Sequence, residues 1–311
     1  LCHYSRHMQS TVKRPLDEIY TVLWGLDDYG QFNIANEAFG LGDRDINAPE
    51  AWSIRTDASN VLVAVFDNGA TASRDIINNL WTNPGEIAFN YEDDDNNGYV
   101  DDIYGIAPAY YWQPGEVGNY VDGHGLQIAG IIAAEGNNES LSTGVAWKAQ
   151  LMILKVSNES GNIEDANIIE GIEYLLAVKQ QYGLARVVIN LSFGQYTYSE
   201  ALNDALKMAA DAGVLIVAAA GNANLNNDYK AFYPASAEID NVVSVGAAAV
   251  SHKGKVALSN QGCSSVDVMA PGENIWTLSI GGKAQAGELA PLNGSSASTA
   301  LVSGYCSLNL G

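Results

Sequence analysis

"NVLVAVFDNGA", residues 60–70, runs from a buried strand straight into reactive chemistry. Val61 to Phe66 are apolar without a break and half of them are β-branched, the pattern of a strand covered on both faces. Asp67 closes the run, and Asn68-Gly69 follow as a turn-forming pair. Taken alone, an aspartate at a strand end is more often a turn former or helix cap than a catalyst.

Four more short runs share this character: "LMILKV" (151–156), "RVVINLS" (186–192), "VLIVAAA" (214–220) and "NVVSVGA" (241–247). Between them lie helical patterns. Residues 163–181 place Ile163, Ala166, Ile169, Ile172, Leu175 and Leu176 along one stripe. Residues 198–213 do the same with Leu202, Leu206 and Ala209, then stop at Gly213. Strands alternating with helices predict βαβ units and an α/β fold around a mostly parallel sheet. In such sheets ligands gather at the carboxyl ends of strands, so strand ends and helix starts are where a site is expected.

The 311 residues suffice for one large domain, with residues 1–20 expected as an extension or processing remnant and 21–311 as the domain. Charged residues are only 16% against 47% hydrophobic, which excludes a disordered chain. Fifteen basic side chains face 36 acidic ones, and a net charge of −21 repels nucleic acid and anionic membranes while favouring cations. No stretch reaches the ~18 consecutive apolar residues of a membrane span. Cys2, Cys263 and Cys306 form no CxxC pair; one bridge plus a free thiol and three thiols are both compatible with their spacing.

Three further segments carry candidate chemistry. In "VDGHGLQIAGIIAAEG" (121–136), His124 stands between glycines at the start of an apolar helix, and histidine titrates where proton transfer near neutrality needs it. In "VAAAGNAN" (217–224), Asn222 follows a strand and offers an amide to an oxyanion. In "LNGSSASTALVSG" (292–304), Ser296 stands at a helix start, where backbone N–H groups favour developing negative charge. Singly, each reads as a cap or loop residue. Together they occur in the order Asp67, His124, Asn222, Ser296, which matches the aspartate–histidine–serine order of one known triad arrangement.

On these motifs the chain resembles the subtilisin-like serine proteases (subtilases, peptidase family S8). "VAVFDNGA" is similar to the family's aspartate motif, "HGLQIAGIIAA" to its H-G-T-H-V-A-G and "NGSSASTALVSG" to its N-G-T-S-M-A-T-P-H-V-A-G. "VVINLSFG", "VAAAGNAN" and "VDVMAPG" resemble the segments lining the cleft, carrying the oxyanion asparagine and approaching the serine. The resemblance implies a three-layer αβα fold and a serine endopeptidase. Ser296 would be its nucleophile, His124 the general base and later acid, Asp67 the orienting carboxylate and Asn222 an oxyanion donor. It further implies polypeptide substrates adding as a strand between Ser160, Gly161 and Ser192 to Gly194. The first substrate side chain before the cut would enter a pocket walled by Ser192, Phe193, Gly194, Ala219, Ala220 and Gly221, with Phe232 at its floor selecting small residues. A propeptide or protein inhibitor, and a secreted location, are implied in the same way.

"NYEDDDNNGYVDDIYG" (90–105) sets Asp93, Asp95 and Asn97 at alternate positions before Gly98, with Asp101 and Asp102 beyond. Alternating oxygen donors around a turn glycine suit Ca²⁺, and a structural calcium is expected there. Tyr104 occupies the place of an EF-hand's closing glutamate, so the loop is not a full EF-hand. Where the family has Thr and His after the catalytic histidine, this chain has Leu126 and Gln127; Ala297, Ala300 and Leu301 replace Met, Pro and His after the serine. Only 15 residues follow Ser296, so the C-terminal part is expected to be truncated and the serine's helix weakly anchored. These departures keep a catalytically impaired relative that binds peptide or calcium as the alternative. A nucleotide-binding enzyme is disfavoured, because "GHGLQIAG" lacks G-x-G-x-x-G spacing and follows no predicted strand.

Overall fold

The computed structural model describes residues 12–33, 38–39, 42–110, 117–118, 123–250, 256, 258–280 and 288–311. Cys2 and residues 1–11 of the expected extension lie outside that set. Six strands form one sheet: β3 (Asp57–Asp67), β4 (Lys148–Lys155), β5 (Val187–Leu191), β6 (Leu215–Ala219), β7 (Val242–Ala248) and β8 (Val268–Pro271). Their spatial order is β4-β3-β5-β6-β7-β8, and every neighbouring pair is parallel. Two small antiparallel ladders complete the strands, β1 (Phe32–Asn33) with β2 (Ala38–Phe39), and β9 (Ile275–Ser279) with β10 (Glu288–Leu292). All five strands expected from apolar runs are present. The sixth, β8, falls inside "VDVMAPG", whose Val268 and Met269 are partly exposed and so lack the buried-run signature.

Period-two alternation divides the strands between two cores. In β3, Val61, Val63 and Val65 face one side while Leu62, Ala64 and Phe66 face the other. The first face is covered by α2 (His124–Ala133) and α5 (Ser295–Leu310), the second by α3 (Asp165–Gln181) and α4 (Glu200–Asp211). A shorter helix, α1 (Ala48–Ile54), opens with Pro49 in its first turn and adds Trp52 to the first core. The result is the expected three-layer αβα arrangement. Full burial of a side chain such as Phe66 contributes about 1.5–3 kcal/mol.

α5 is a helix of small residues, and that is why it lies so close to the sheet. Ser295, Ser296, Ala297, Ser298, Thr299, Ala300, Ser303 and Gly304 are all buried. A Cβ on Gly304 would stand 2.7 Å from the Val145 Cβ and 3.0 Å from the Ile132 carbonyl at the end of α2. α5 packs against β3, β5, β6, β7 and β8 as well as α2, so the serine-bearing helix is firmly anchored, contrary to expectation. The described part of the expected extension is also tied in. Glu18 and Ile19 N–H groups donate to the Ser140 and Leu141 carbonyls, and Asp17 and Tyr20 are buried.

Candidate active site

The strand order reverses at β3, which has β4, next in sequence, on one side and β5 on the other. In open α/β sheets such a switch point is where ligands collect, here at the carboxyl ends of β3 and β5. Asp67 ends β3 there, and Ser192 follows β5.

Asp67 is 2% exposed, and both its carboxylate oxygens face His124 Nδ1, at 2.8 and 2.9 Å. The contact depends on two main chains meeting. Gly69 has φ +95°, and a Cβ on it would overlap the Val117 carbonyl. A Cβ on Gly125, in the first turn of α2, would overlap the Gly69 carbonyl and sit 3.2 Å from the Asp67 Cβ. The glycine after His124 therefore serves close approach of helix and turn. Asn68 fastens the junction, its Oδ1 accepting from the Gly125 N–H at 2.9 Å. Leu126, in place of the family's threonine, is fully buried in the core. Gln127 gives its carbonyl to the Thr277 hydroxyl at 3.0 Å. The helix start is thus held by Asn68 and core packing without the usual pair.

Ser296 stands in the first turn of α5, behind Gly294 at φ +107°. Its hydroxyl donates to the Ser192 carbonyl at 2.8 Å, so the described hydrogen bonds of Ser296 do not include one to His124. Nucleophile–base bonds are often unmade before substrate arrives. Asn222 lies beside Gly294, where a Cβ would stand 2.7 Å from its Oδ1. That oxygen accepts from the Ser295 N–H at 2.9 Å and the Ser295 hydroxyl at 3.2 Å. The Ser295 oxygen in turn accepts from the Gly221 N–H at 3.2 Å. These bonds fix the oxygen side of the Asn222 amide. Ser295 escaped the sequence reading because nothing distinguishes it from an ordinary cap.

Of the expected pocket residues, Gly194 and Gly221 close on one ring, that of Phe232. Ser192, Ala219, Ala220 and Gly221 are buried, and Phe193 and Gly194 are half-buried. Phe232 fills the space between the two glycines: a Cβ on Gly194 would overlap its ring, and one on Gly221 would stand 3.1 Å from it. Tyr196 backs that ring edge-on at 4.9 Å. Ser160 and Gly161 lie exposed on the loop after β4. The base of that loop is pinned to the Ser192–Gly194 segment through Gln195 Nε2 and Asp165 Oδ1, 3.1 Å apart.

In the acidic loop, one ligand oxygen from each of Glu86, Asp93 and Asp95 lies within 4.8 Å of the others. Asp93 and Asp95 belong to the expected set, whereas Glu86 precedes the motif and carried no sequence signal. Asn97, Asp101 and Asp102 have other partners. Asp101 accepts from the Asn90 and Tyr91 N–H groups at 3.2 and 2.9 Å. Asp102 accepts from Tyr174 at 2.6 Å and from Asn97 and Asn83 at 2.9 Å each.

Burial holds the Asp17, Asp45, Glu86 and Asp102 carboxyls above the usual carboxylate range, with neighbouring carboxylates adding to it. Tyr182, desolvated and donating to Asp95, is pushed up to about 12.

Residues 58–310 match the family profile described as Peptidase_S8, Subtilase family. Over 235 residues the chain is 31% identical to "Major intracellular serine protease" of Bacillus subtilis (strain 168), covering 75% of this chain and 65% of that protein. It is 31% identical over 276 residues to Subtilisin E of the same organism, covering 86% and 60%. Over 164 residues it is 37% identical to Subtilisin-like protease 5 of Trichophyton verrucosum (strain HKI 0517), covering 52% and 38%. The chain thus spans less than two thirds of the length of these relatives. Among solved structures, a cold adapted subtilisin-like serine proteinase shares the fold with TM-score 0.64 at 24% identity, over 93% of this chain and 85% of that one.

The raised carboxyls fix the sign of one pH effect. A folded-state pKa above the unfolded value means that the folded chain takes up protons first, so stability rises as pH falls through the folded values toward ~4. Asp57, lowered by its hydrogen bonds from Ser59, acts in the opposite sense only below that range. With a chelator present, these carboxyls should raise the thermal midpoint as pH falls toward ~4. A midpoint that is flat or falls over that interval contradicts the assignment.

Proposed function

The chain belongs to the subtilase family, and on that premise we propose that it is a serine endopeptidase working through Asp67, His124 and Ser296. The observation that carries the reading is the two-oxygen contact of Asp67 with His124 Nδ1 at the carboxyl end of β3, beside β5, whose following Ser192 bonds Ser296. That contact fixes the tautomer: Nδ1 carries a proton toward the carboxylate, leaving Nε2 as the basic nitrogen.

A peptide laid between the loop of Ser160 and Gly161 and the segment Ser192–Gly194 would be held mainly by backbone hydrogen bonds. Rotation of the Ser296 side chain away from the Ser192 carbonyl gives its proton to His124 Nε2 as Oγ bonds to the substrate carbonyl carbon. The buried Asp67 charge stabilises the imidazolium. The carbonyl oxygen, now anionic, accepts from the Asn222 amide and the Ser296 N–H at the start of α5. Collapse breaks the C–N bond while His124 returns the proton to the leaving amine. Water then repeats the sequence on the acyl-enzyme, releasing the acid and restoring Ser296. A propeptide or protein inhibitor would use the same strand-addition cleft. Residues 21–311 constitute the catalytic unit in this reading. Family membership is compatible with secretion and with an intracellular location, since one relative is by name intracellular. No helix among the described residues is long and apolar enough to cross a membrane.

A fluorophosphonate probe tests this directly. The wild type should be labelled, and Ser296→Ala should not. Asn222→Ala should lose about 10²–10³ in kcat, the size such a donor carries in a subtilisin. A folded wild type that takes no label, with calcium present, favours the impaired relative instead.

Phe232, wedged between Gly194 and Gly221, leaves little depth for the side chain before the cut. Small residues should therefore be preferred there, and Phe232→Gly should shift kcat/KM toward aromatic ones by roughly tenfold or more, as expected when a hydrophobic pocket gains several methylenes of depth. Unchanged selectivity on a peptide library rules the wedge out.

The oxygens of Glu86, Asp93 and Asp95 suit a hard divalent cation, and a structural Ca²⁺ would relieve the repulsion among them. Titrated calcium should raise the thermal midpoint of the wild type and not of Asp93→Ala. Equal shifts in both proteins place the ion elsewhere or nowhere.

A further inference from the structure

One polar side chain interrupts the apolar centre of the sheet. β5 reads Val187, Val188, Ile189, Asn190, Leu191, and Asn190 is completely buried. It shares the face of Val188, the face that α5 covers. A buried amide is tolerated where its hydrogen bonds are met, and those of Asn190 lead in two directions. Its Oδ1 accepts from the hydroxyl of Ser303 at 3.0 Å, and its Nδ2 donates to the hydroxyl of Ser192, also at 3.0 Å.

Ser303 lies on α5 seven residues, about two turns, beyond Ser296, and is completely buried. The Ser192 hydroxyl passes the chain on, donating to the Ser296 carbonyl at 3.1 Å, while the Ser192 carbonyl accepts from the Ser296 hydroxyl at 2.8 Å. The donors of Ser303, Asn190 and Ser192 therefore point one way, to the main chain of Ser296, and the Ser296 hydroxyl closes the circuit by donating back to the Ser192 carbonyl. The circuit ties α5 to β5 at two levels, and an apolar core has no comparable means of fixing the rotation of a helix built from small side chains. Hydrogen bonds are directional where apolar contacts are not, so the circuit sets the roll of α5 more sharply than packing alone.

We propose that Asn190 and Ser303 are positioning residues that set the rotation of α5 and thereby aim the Ser296 hydroxyl at His124. This rests on the endopeptidase reading above. Neither residue touches the reacting atoms. Their role runs through Ser192.

Asn190→Leu and Ser303→Ala, singly and together, test the idea against the wild type. Replacing both partners of a buried polar contact by apolar groups can leave stability unchanged, so a purely structural network predicts folded variants with wild-type rates. The positioning role predicts instead that fluorophosphonate labelling of the folded variants slows about tenfold or more, the double variant included, since a ~1 Å misplacement costs roughly 10²-fold. On peptide substrates, kcat should fall while KM holds. The double variant should be no slower than the worse single one, because both act on one circuit. If Asn190→Leu does not fold, Ser303→Ala alone decides, since it removes a single oxygen. Labelling within twofold of wild type in the folded variants, or additive losses, overturns the proposal while leaving the endopeptidase reading intact. A wild type that takes no label overturns both.

Discussion

The contact on which the cleft depends is between two stretches of backbone. The turn after β3 and the first turn of α2 meet so tightly that Gly69 and Gly125 cannot carry side chains. Without that approach, Asp67 and His124 would belong to separate elements with no reason to share a hydrogen bond. The carboxylate's burial follows from the same contact, and so does its hold on one ring nitrogen. Asn68 then needs only one hydrogen bond to lock helix to turn. The chemistry lies in the side chains, but its precision comes from two missing Cβ atoms.

The second constraint is charge. A net charge of −21 would press the chain apart if its carboxylates lay at random. Many are instead folded into local hydrogen-bond nets. Asp102 sits among Tyr174, Asn97 and Asn83, and Asp228 accepts from three successive N–H groups, those of Cys263, Ser264 and Ser265. Ion pairs play little part, with Arg14 and Asp27 as one half-buried instance among the described residues. The acidic loop is thus held in shape by its own hydrogen bonds, with Glu86, Asp93 and Asp95 left close to one another.

Legibility from sequence followed burial closely. β3 to β7 announced themselves because strands covered on both faces must be apolar throughout. β8 did not, since an edge strand may expose Val268 and Met269. The order of Asp67, His124, Asn222 and Ser296 pointed to a site through motif resemblance, and the structure brings Asp67 against His124. Ser295, Asn190 and Ser303 stayed hidden because each pairs with a partner distant in sequence, and pairings set by tertiary geometry leave no periodicity or spacing to read. Glu86 is only seven residues from Asp93 but lies outside the alternating run. The weak anchoring expected for the serine helix failed for a similar cause: small residues look like poor packers in a string, yet they are what permits a helix to lie close against five strands.

That central placement of α5 has a kinetic side. The helix comes after every strand of the sheet in the chain, but its contacts reach back to β3, more than two hundred residues earlier. Folds whose rewarding contacts span such separations close long loops before they gain stability, and they fold slowly. Until α5 settles, Ser296 has neither its neighbours from β5 nor the amide of Asn222 beside it. The Asp67–His124 pair and Ser296 are therefore brought together only through packing that spans more than two hundred residues of chain.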